Sequence, residues 1–199
     1  MFKPENPKAE ALMSDIRARH PRLREALVAD AQVSLLHRGE RHEFRSRADA
    51  AIQILRLFWT SDAFLAQALY RVKAVLQRRG VPLLPRLAHR LALATGQVSI
   101  GDPVLIHPGI HLLHGQVVID GVVEIHPGAV IGPFVTIGLR SGDIVGPTIE
   151  QDVAIGTGAK VLGRVKVGTG VSIGANAVVV DDVPAGTTVV GVPARPTGK

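Results

Sequence analysis

Four histidines fall close together, at His107, His111, His114 and His126. Imidazole at neutral pH offers two chemistries. It can act as a general base, taking the proton of a hydroxyl or amine as that group attacks an activated carbonyl. Alternatively, three imidazoles converging on one tetrahedral zinc ion would activate a water. The spacing of these four leaves both open. The chain contains no cysteine, so a thiolate nucleophile, a thiolate zinc site and a disulfide are all excluded.

The residues around the histidines decide what must hold them. From Ile100 to about Val180 an aliphatic residue returns every sixth position: Ile100, Ile106 and Leu112, then after one extra residue Ile119, Ile125, Ile131 and Ile137. A second run follows at Ile149, Ile155, Val161, Val167, Ile173 and Val179. Glycine often succeeds the anchor, and a small or β-branched residue stands four places after it, as in Val135, Val153, Ala159, Val165, Val171 and Ala177. A period of six suits neither an α-helix nor a plain alternating strand. It suits short strands of a parallel β-helix joined by tight corners, with the anchors pointing inward and three hexads to a turn. Stacked turns bury a column that no single repeat could bury, so the array needs several turns and a cap at each end.

Two departures interrupt the period. One residue is inserted near His114-Gly115, and Gly138 to Thr148 (GLRSGDIVGPT) abandons the hexad, which predicts a loop thrown outward from one corner. Excursions from a rigid scaffold are where binding groups tend to sit. After Val179 the chain predicts a turn, a final strand and an extended tail.

Residues 1–96 predict helices: Lys8 to Arg19, Arg22 to Leu36 beyond Pro21, one capped by Ser46, and one begun at Ser61-Asp62 and stopped by Gly80. In the last of these Phe64, Leu65, Leu69, Val72 and Leu76 make one apolar face. Pro82 and Pro85 then break the chain before a short helix from Arg86 to Ala94. The expected organisation is a helical capping and oligomerisation domain over 1–96 and a β-helix with a C-terminal tail over 97–199. The helical block is expected to cover the open first turn, whose free edge would otherwise invite aggregation.

The net charge of +6 is unevenly placed, with 17 Lys/Arg against 9 Asp/Glu in residues 1–96 and 6 against 8 in the remainder. The basic residues are scattered among apolar ones without a nucleic-acid motif, so a solvated helical surface is expected, not a nucleic-acid partner. No apolar run approaches the length of a membrane span, and the segment MFKPENPKAEA lacks the apolar core of a secretion signal. These features lead us to expect a soluble cytoplasmic protein without a membrane partner.

The segments "IHPG", "LLHG", "GTGAKVLG", "IGANAVVVDDVP" and the closing "VVGVPAR", following a helical region, resemble the serine acetyltransferase family of left-handed β-helix acyltransferases over roughly residues 60–196. The resemblance implies an α+β protein whose helices precede a left-handed parallel β-helix with one extruded loop. It also implies acetyl-coenzyme A as cosubstrate, a small hydroxyl acceptor such as L-serine, no metal, and a homotrimer or dimer of trimers with the donor lying between neighbouring β-helices.

Residue by residue, the resemblance is uneven. "LLHG" matches the family's catalytic histidine motif, which makes His114 the expected base, with His126 in reserve. Leu113 stands where that motif has aspartate, Ser99 where the family places the carboxylate that orients the base, and Gly146 where it places a second histidine. Orientation of His114 is therefore expected from Asp102, Asp120 or Glu124, of the same or an adjoining chain. On the acceptor side Arg140, in a shortened loop, is a candidate for a carboxylate, and Asp49 lies near the place where the family's helical region supplies one. On the donor side Gly156, Gly158, Ala159, Gly174 and Ala175 match the family's small-residue corners, and Lys160, Arg195 and Lys199 are candidate phosphate partners. Two other readings remain: a zinc hydratase resembling the γ-class carbonic anhydrases, and a degenerate scaffold that keeps only the oligomer.

Overall fold

The computed structural model describes residues 7–197, with side chains from Ala11 onward. Five helices come first: α1 Pro7–Arg19, α2 Leu23–His37, α3 Arg47–Thr60, α4 Asp62–Arg78 and α5 Leu84–Gly96. Their ends follow local chemistry. The Ser46 hydroxyl accepts from the Asp49 N–H at the start of α3, and the Ser61 hydroxyl accepts from the Phe64 N–H at the start of α4. Pro85 does not break the chain as its type suggests. It occupies the first turn of α5, where a missing N–H costs nothing, so that helix begins two residues before Arg86.

The remainder is a left-handed β-helix of about five turns. Its first sheet stacks β1 Val98–Ile100, β4 Val117–Ile119, β7 Thr136–Gly138, β10 Lys160–Leu162 and β13 Val178–Val179. The second stacks β2 Val104–Ile106, β5 Val122–Ile125, β8 Val145–Ile149 and β11 Lys166–Val167. The third stacks β3 His111–Leu112, β6 Val130–Ile131, β9 Ala154–Ile155, β12 Ser172–Ile173 and β14 Thr188–Val190. All these pairings are parallel, and every anchor of the sixfold period is buried. The chain's end departs from an extended tail, because β15 Arg195–Pro196 turns back antiparallel onto β14.

The one-residue insertion has a packing cause. Val98 stands over Val117, nineteen positions on, whereas Ile119 stands over Ile137, eighteen on. The extra residue lies in the corner 113–116, which passes beneath the end of α5. There the Gln116 N–H donates to the Gly96 carbonyl over 3.1 Å, and a Cβ on Gly115 would sit 1.8 Å from that same oxygen. Only glycine lets the corner and the helix end approach so closely.

The extruded loop is shorter than the sequence suggests. Residues 139–144 leave the prism and the strand resumes at Val145, so Val145 to Thr148 belong to β8. Gly146 and Pro147 signal a loop by type, yet both are buried in β8, where a Cβ on Gly146 would meet the Val123 side chain at 2.7 Å.

The helices close the open end of the β-helix, and α4 does so with polar side chains. Gln67 donates to the Ile110 carbonyl (3.3 Å), Tyr70 to Val104 (2.7 Å), and Lys73 to Ile100 (2.5 Å). Arg71 donates to the carbonyls of Ile106 and His107 and forms a buried ion pair with Asp30 of α2, whose Oδ1 accepts from the Gly109 N–H. Unpaired backbone groups of a first turn are costly to bury, and this row satisfies them. The face of α4 that is fully buried therefore carries Ala63, Ala66, Gln67, Tyr70, Arg71, Lys73 and Ala74, together with Phe64. Leu65, Leu69, Val72 and Leu76, expected to form the core face, are only partly buried. One apolar cluster runs unbroken from Ala63, Ala66, Tyr70 and Ala92 into the aliphatic column. Among the described residues no helix is long and apolar enough to cross a membrane.

Candidate functional site

A triangular prism has three edges, and the corners sort the candidate residues among them. The edge between the third and first sheets is built by corners 113–116, 132–135, 156–159 and 174–177. It carries His114 at the first turn, Gly156, Gly158 and Ala159 at the third with Lys160 opening β10, and Gly174 and Ala175 at the fourth. Successive turns are about 4.8 Å apart, so His114 and the Gly174 corner lie on the order of 14 Å apart along one edge. A long, thin donor laid along it would pass each of these corners.

The corners on this edge are narrow for a stated reason. A Cβ on Gly156 would stand 2.7 Å from the Ala175 N, and one on Gly174 would stand 2.7 Å from the Val190 side chain. Phe134 and Asn176 take left-handed backbone at φ 60° and 57°, as Gly158 does at 75°. Ala159 points inward and is fully buried. The glycines are thus required by the stacking of the chain itself, and beside them the edge offers outward backbone, the half-buried Lys160 and the exposed Thr157, Ala175 and Asn176.

His114 is exposed, and no hydrogen bond or ion pair joins it to another described residue. The three carboxylates expected to orient it are engaged elsewhere within the chain. Asp102 pairs with Lys73 at 3.1 Å, Asp120 accepts from the Gly121 N–H at 2.9 Å, and Glu124 binds His107 and Arg19. Exposed apolar side chains lie beside it instead: Leu113 in the same corner, Phe134 in the next, and Val118 in β4. Ser99 lies mid-strand in β1, paired with Val118.

The other histidines go to different places. His111 is buried under α2, where its Nδ1 lies 3.2 Å from the Ser34 hydroxyl and its ring stacks on His37 with centroids 4.8 Å apart. Burial, with the nearby charges of His37, Arg38 and His114, lowers its pKa to about 4, so it is neutral at physiological pH. His107 and His126 stack on the edge between the second and third sheets, away from His114. Within the chain, therefore, His107, His111 and His114 do not converge as a three-imidazole zinc site requires. The Glu124 that joins His107 to His126 lies in β5, two residues before His126 and one turn on from His107. The sequence offered no signal for that trio, because the pairing depends on the nineteen-residue length of the first turn.

The remaining candidates are dispersed. Arg140 leans over Gly163 on the edge between the first and second sheets, where a Cβ on that glycine would meet its Cδ at 2.5 Å. Asp49 is held in α3 by two 2.8 Å bonds from Arg41 and one from the Arg45 N–H, and hydrogen bonding from Arg41 holds its pKa well below the usual carboxylate range. Arg195 pairs with Asp181 at 3.0 Å. Lys199 lies outside the described residues. A cavity of about 780 Å³ is not on the His114 edge. It lies between α1, the turn joining α4 to α5, and Asp102, and it holds neither an available base nor a small-residue corner.

Comparison with known proteins adds an independent observation. The family described as bacterial transferase hexapeptide (six repeats) matches residues 146–181. A serine acetyltransferase of Synechococcus elongatus is 38% identical over 163 residues, covering 75% of this chain and 62% of that protein. One from Salmonella typhimurium is 34% identical over 207 residues, covering 98% of this chain and 72% of that one. Among solved structures, a serine acetyltransferase in complex with CoA superposes with a TM-score of 0.72 at 25% identity, over 96% of this chain and 79% of that one. The chain thus spans under two thirds of the Synechococcus protein's length.

Proposed function

Because the chain belongs to the serine acetyltransferase family, we propose that it transfers an acetyl group from acetyl-coenzyme A to the hydroxyl of L-serine or a related small hydroxyl compound. The observation that carries this reading is the placement of His114. It is an exposed imidazole with no partner among the described residues, on the edge that also bears the small corners at 156–159 and 174–177.

The reaction is a direct transfer in a ternary complex. His114 takes the proton of the acceptor hydroxyl as the oxygen attacks the thioester carbonyl. A backbone N–H of a corner stabilises the oxyanion. As the carbonyl reforms, the C–S bond breaks and the imidazolium returns its proton to the departing thiolate, leaving ester and free thiol. Lys160, whose Nζ donates to the Phe134 carbonyl, and Arg195, paired with Asp181, are the proposed cations for the donor's phosphates, with Lys199 outside the described residues. On the acceptor side Arg140, Asp49 and Ser99 remain candidates, and His126 remains the reserve base.

The exposed Leu113, Val118 and Phe134 beside His114 support a site completed between copies, in a homotrimer or dimer of trimers. A neighbouring chain would then cover these side chains and supply the group that orients His114. The division into a helical unit over 1–96 and a β-helix over 97–199, and a cytoplasmic location, belong to the same proposal.

Replacing His114 by Asn should lower thiol release from acetyl-coenzyme A by about two orders of magnitude or more while the fold is retained. Turnover at the wild-type level would remove His114 from the mechanism.

A further inference from the structure

The edge between the second and third sheets, away from His114, carries a cluster of three potential metal ligands. His107 Nε2 lies 2.8 Å from Glu124 Oε1, His126 Nε2 lies 3.6 Å from the same oxygen, and the two rings stack with centroids 4.6 Å apart and planes 14° apart. One donor atom from each of the three residues lies within 4.8 Å of the others. We propose that His107, Glu124 and His126 form a binding site for a divalent transition-metal ion of the zinc class.

Three features carry the proposal. Two imidazole nitrogens and one carboxylate oxygen are a donor set suited to borderline ions, not to calcium or magnesium, which prefer all-oxygen cages. The fold presents these groups without searching. His107 and His126 leave the ends of β2 and β5, which stand in register with Ile106 over Ile125, and Glu124 is the outward residue of β5 immediately before that anchor. Metal–ligand bonds of about 2.0–2.2 Å in a tetrahedron place ligand atoms about 3.3 Å apart, so side-chain rotation alone brings the three into range. The side chains of His107, Glu124 and His126 are 29%, 22% and 26% exposed, which leaves an entry path and an open fourth position for water.

A cation already sits at this point. The Arg19 guanidinium at the end of α1 bonds the same Glu124 oxygen. A divalent ion would take the guanidinium's place, and Asp15, 3.6 Å from Arg19 on the same helix, is positioned to receive the displaced side chain. On binding, each imidazole coordinates through Nε2 and keeps its one proton on Nδ1. The proton that His107 shares with Glu124 passes to Nδ1 through solvent, and no redox step is involved. The ion would tie the first two turns of the β-helix together, apart from the His114 edge.

The test uses the full chain after dialysis against a chelator, with cobalt(II) as the probe and visible absorption as the readout. The expected result is one equivalent bound per chain with a tetrahedral spectrum, weakened at least about tenfold in His107→Gln and in Glu124→Gln. Arg19→Met removes the competing guanidinium while leaving all three ligands in place, and should bind more tightly than wild type. Zinc should raise the melting temperature of the wild type and not that of His126→Gln. Equal affinity in wild type and His107→Gln, or weak binding at several equivalents that none of the substitutions alters, would overturn the site. Neither readout depends on acyl transfer, so the outcome is independent of the proposed activity.

Discussion

The helical cap and the β-helix share one core, but they satisfy their backbones by opposite means. In the β-helix each turn is hydrogen-bonded to the next, and the inward side chains fill the interior with aliphatic groups such as Ile119, Ile137 and Val161. At the open end there is no preceding turn. Side chains of α4 take over the role of a strand, with Gln67, Tyr70, Arg71 and Lys73 donating to carbonyls of residues 100–110. A repeat is stabilised by sameness, whereas its end must be closed by a set of individual groups, each with its own partners. Loss of one such group leaves a buried polar atom unsatisfied, while loss of a methyl in the column leaves a cavity.

The largest effect should therefore come from the cap. Arg71→Ala strands the buried Asp30 carboxylate and two carbonyls, and should cost about 3–5 kcal/mol in denaturant unfolding. A loss below about 1 kcal/mol would show that the cap is not needed to close the end. The column comes next. Ile137→Ala should cost about 2–4 kcal/mol through lost burial and a residual cavity, and an equal or greater cost than Arg71→Ala would erase the distinction between the two regions.

Acid should act on the helix-covered end of the molecule. Burial first, then the charges of Arg71 and Arg78, lowers the His20 pKa from its ordinary 6.5 to about 4, and burial lowers His111 likewise. The unfolded chain binds these protons near pH 6.5 and the folded one only near pH 4. Their contribution to stability is thus full above about 6.5 and is lost as pH falls toward about 4. Unfolding free energies measured across that window should fall with pH, and His111→Gln should flatten the slope. A slope unchanged in His111→Gln would place the titration elsewhere.

Smaller again is Tyr70→Phe, which removes one buried donor to the Val104 carbonyl and should cost about 1 kcal/mol. The smallest effect belongs to the outer surface of the β-helix. Lys166→Ala breaks an exposed 3.0 Å pair with Glu150 and should change stability by less than about 1 kcal/mol.

The same contrast explains what could be read in advance. The sixfold period placed every anchor in the core because each position is repeated many times, and the caps at Ser46 and Ser61 are local signals that act within three residues. The carbonyl-binding row of α4 was not legible. Tyr70, Arg71 and Lys73 look like a solvent face when their partners lie some thirty residues downstream, and by type the leucines look like the inward face. Gly146-Pro147 misled for a related reason: glycine and proline usually mark loops, but here glycine is required by the neighbouring Val123. At the candidate site the exposure of His114 followed from its corner. Its missing carboxylate partner also showed in the sequence at Leu113 and Ser99, whereas the engagement of Asp102, Asp120 and Glu124 elsewhere depends on the packed chain.

The most direct measurement is thiol release from acetyl-coenzyme A by the purified full chain, with L-serine and other small hydroxyl compounds as acceptors and the His114→Asn protein alongside. The expected result is release that requires a hydroxyl acceptor and falls by about two orders of magnitude or more in the variant. Release that ignores the acceptor, that survives the substitution, or that is absent with every hydroxyl compound would contradict it.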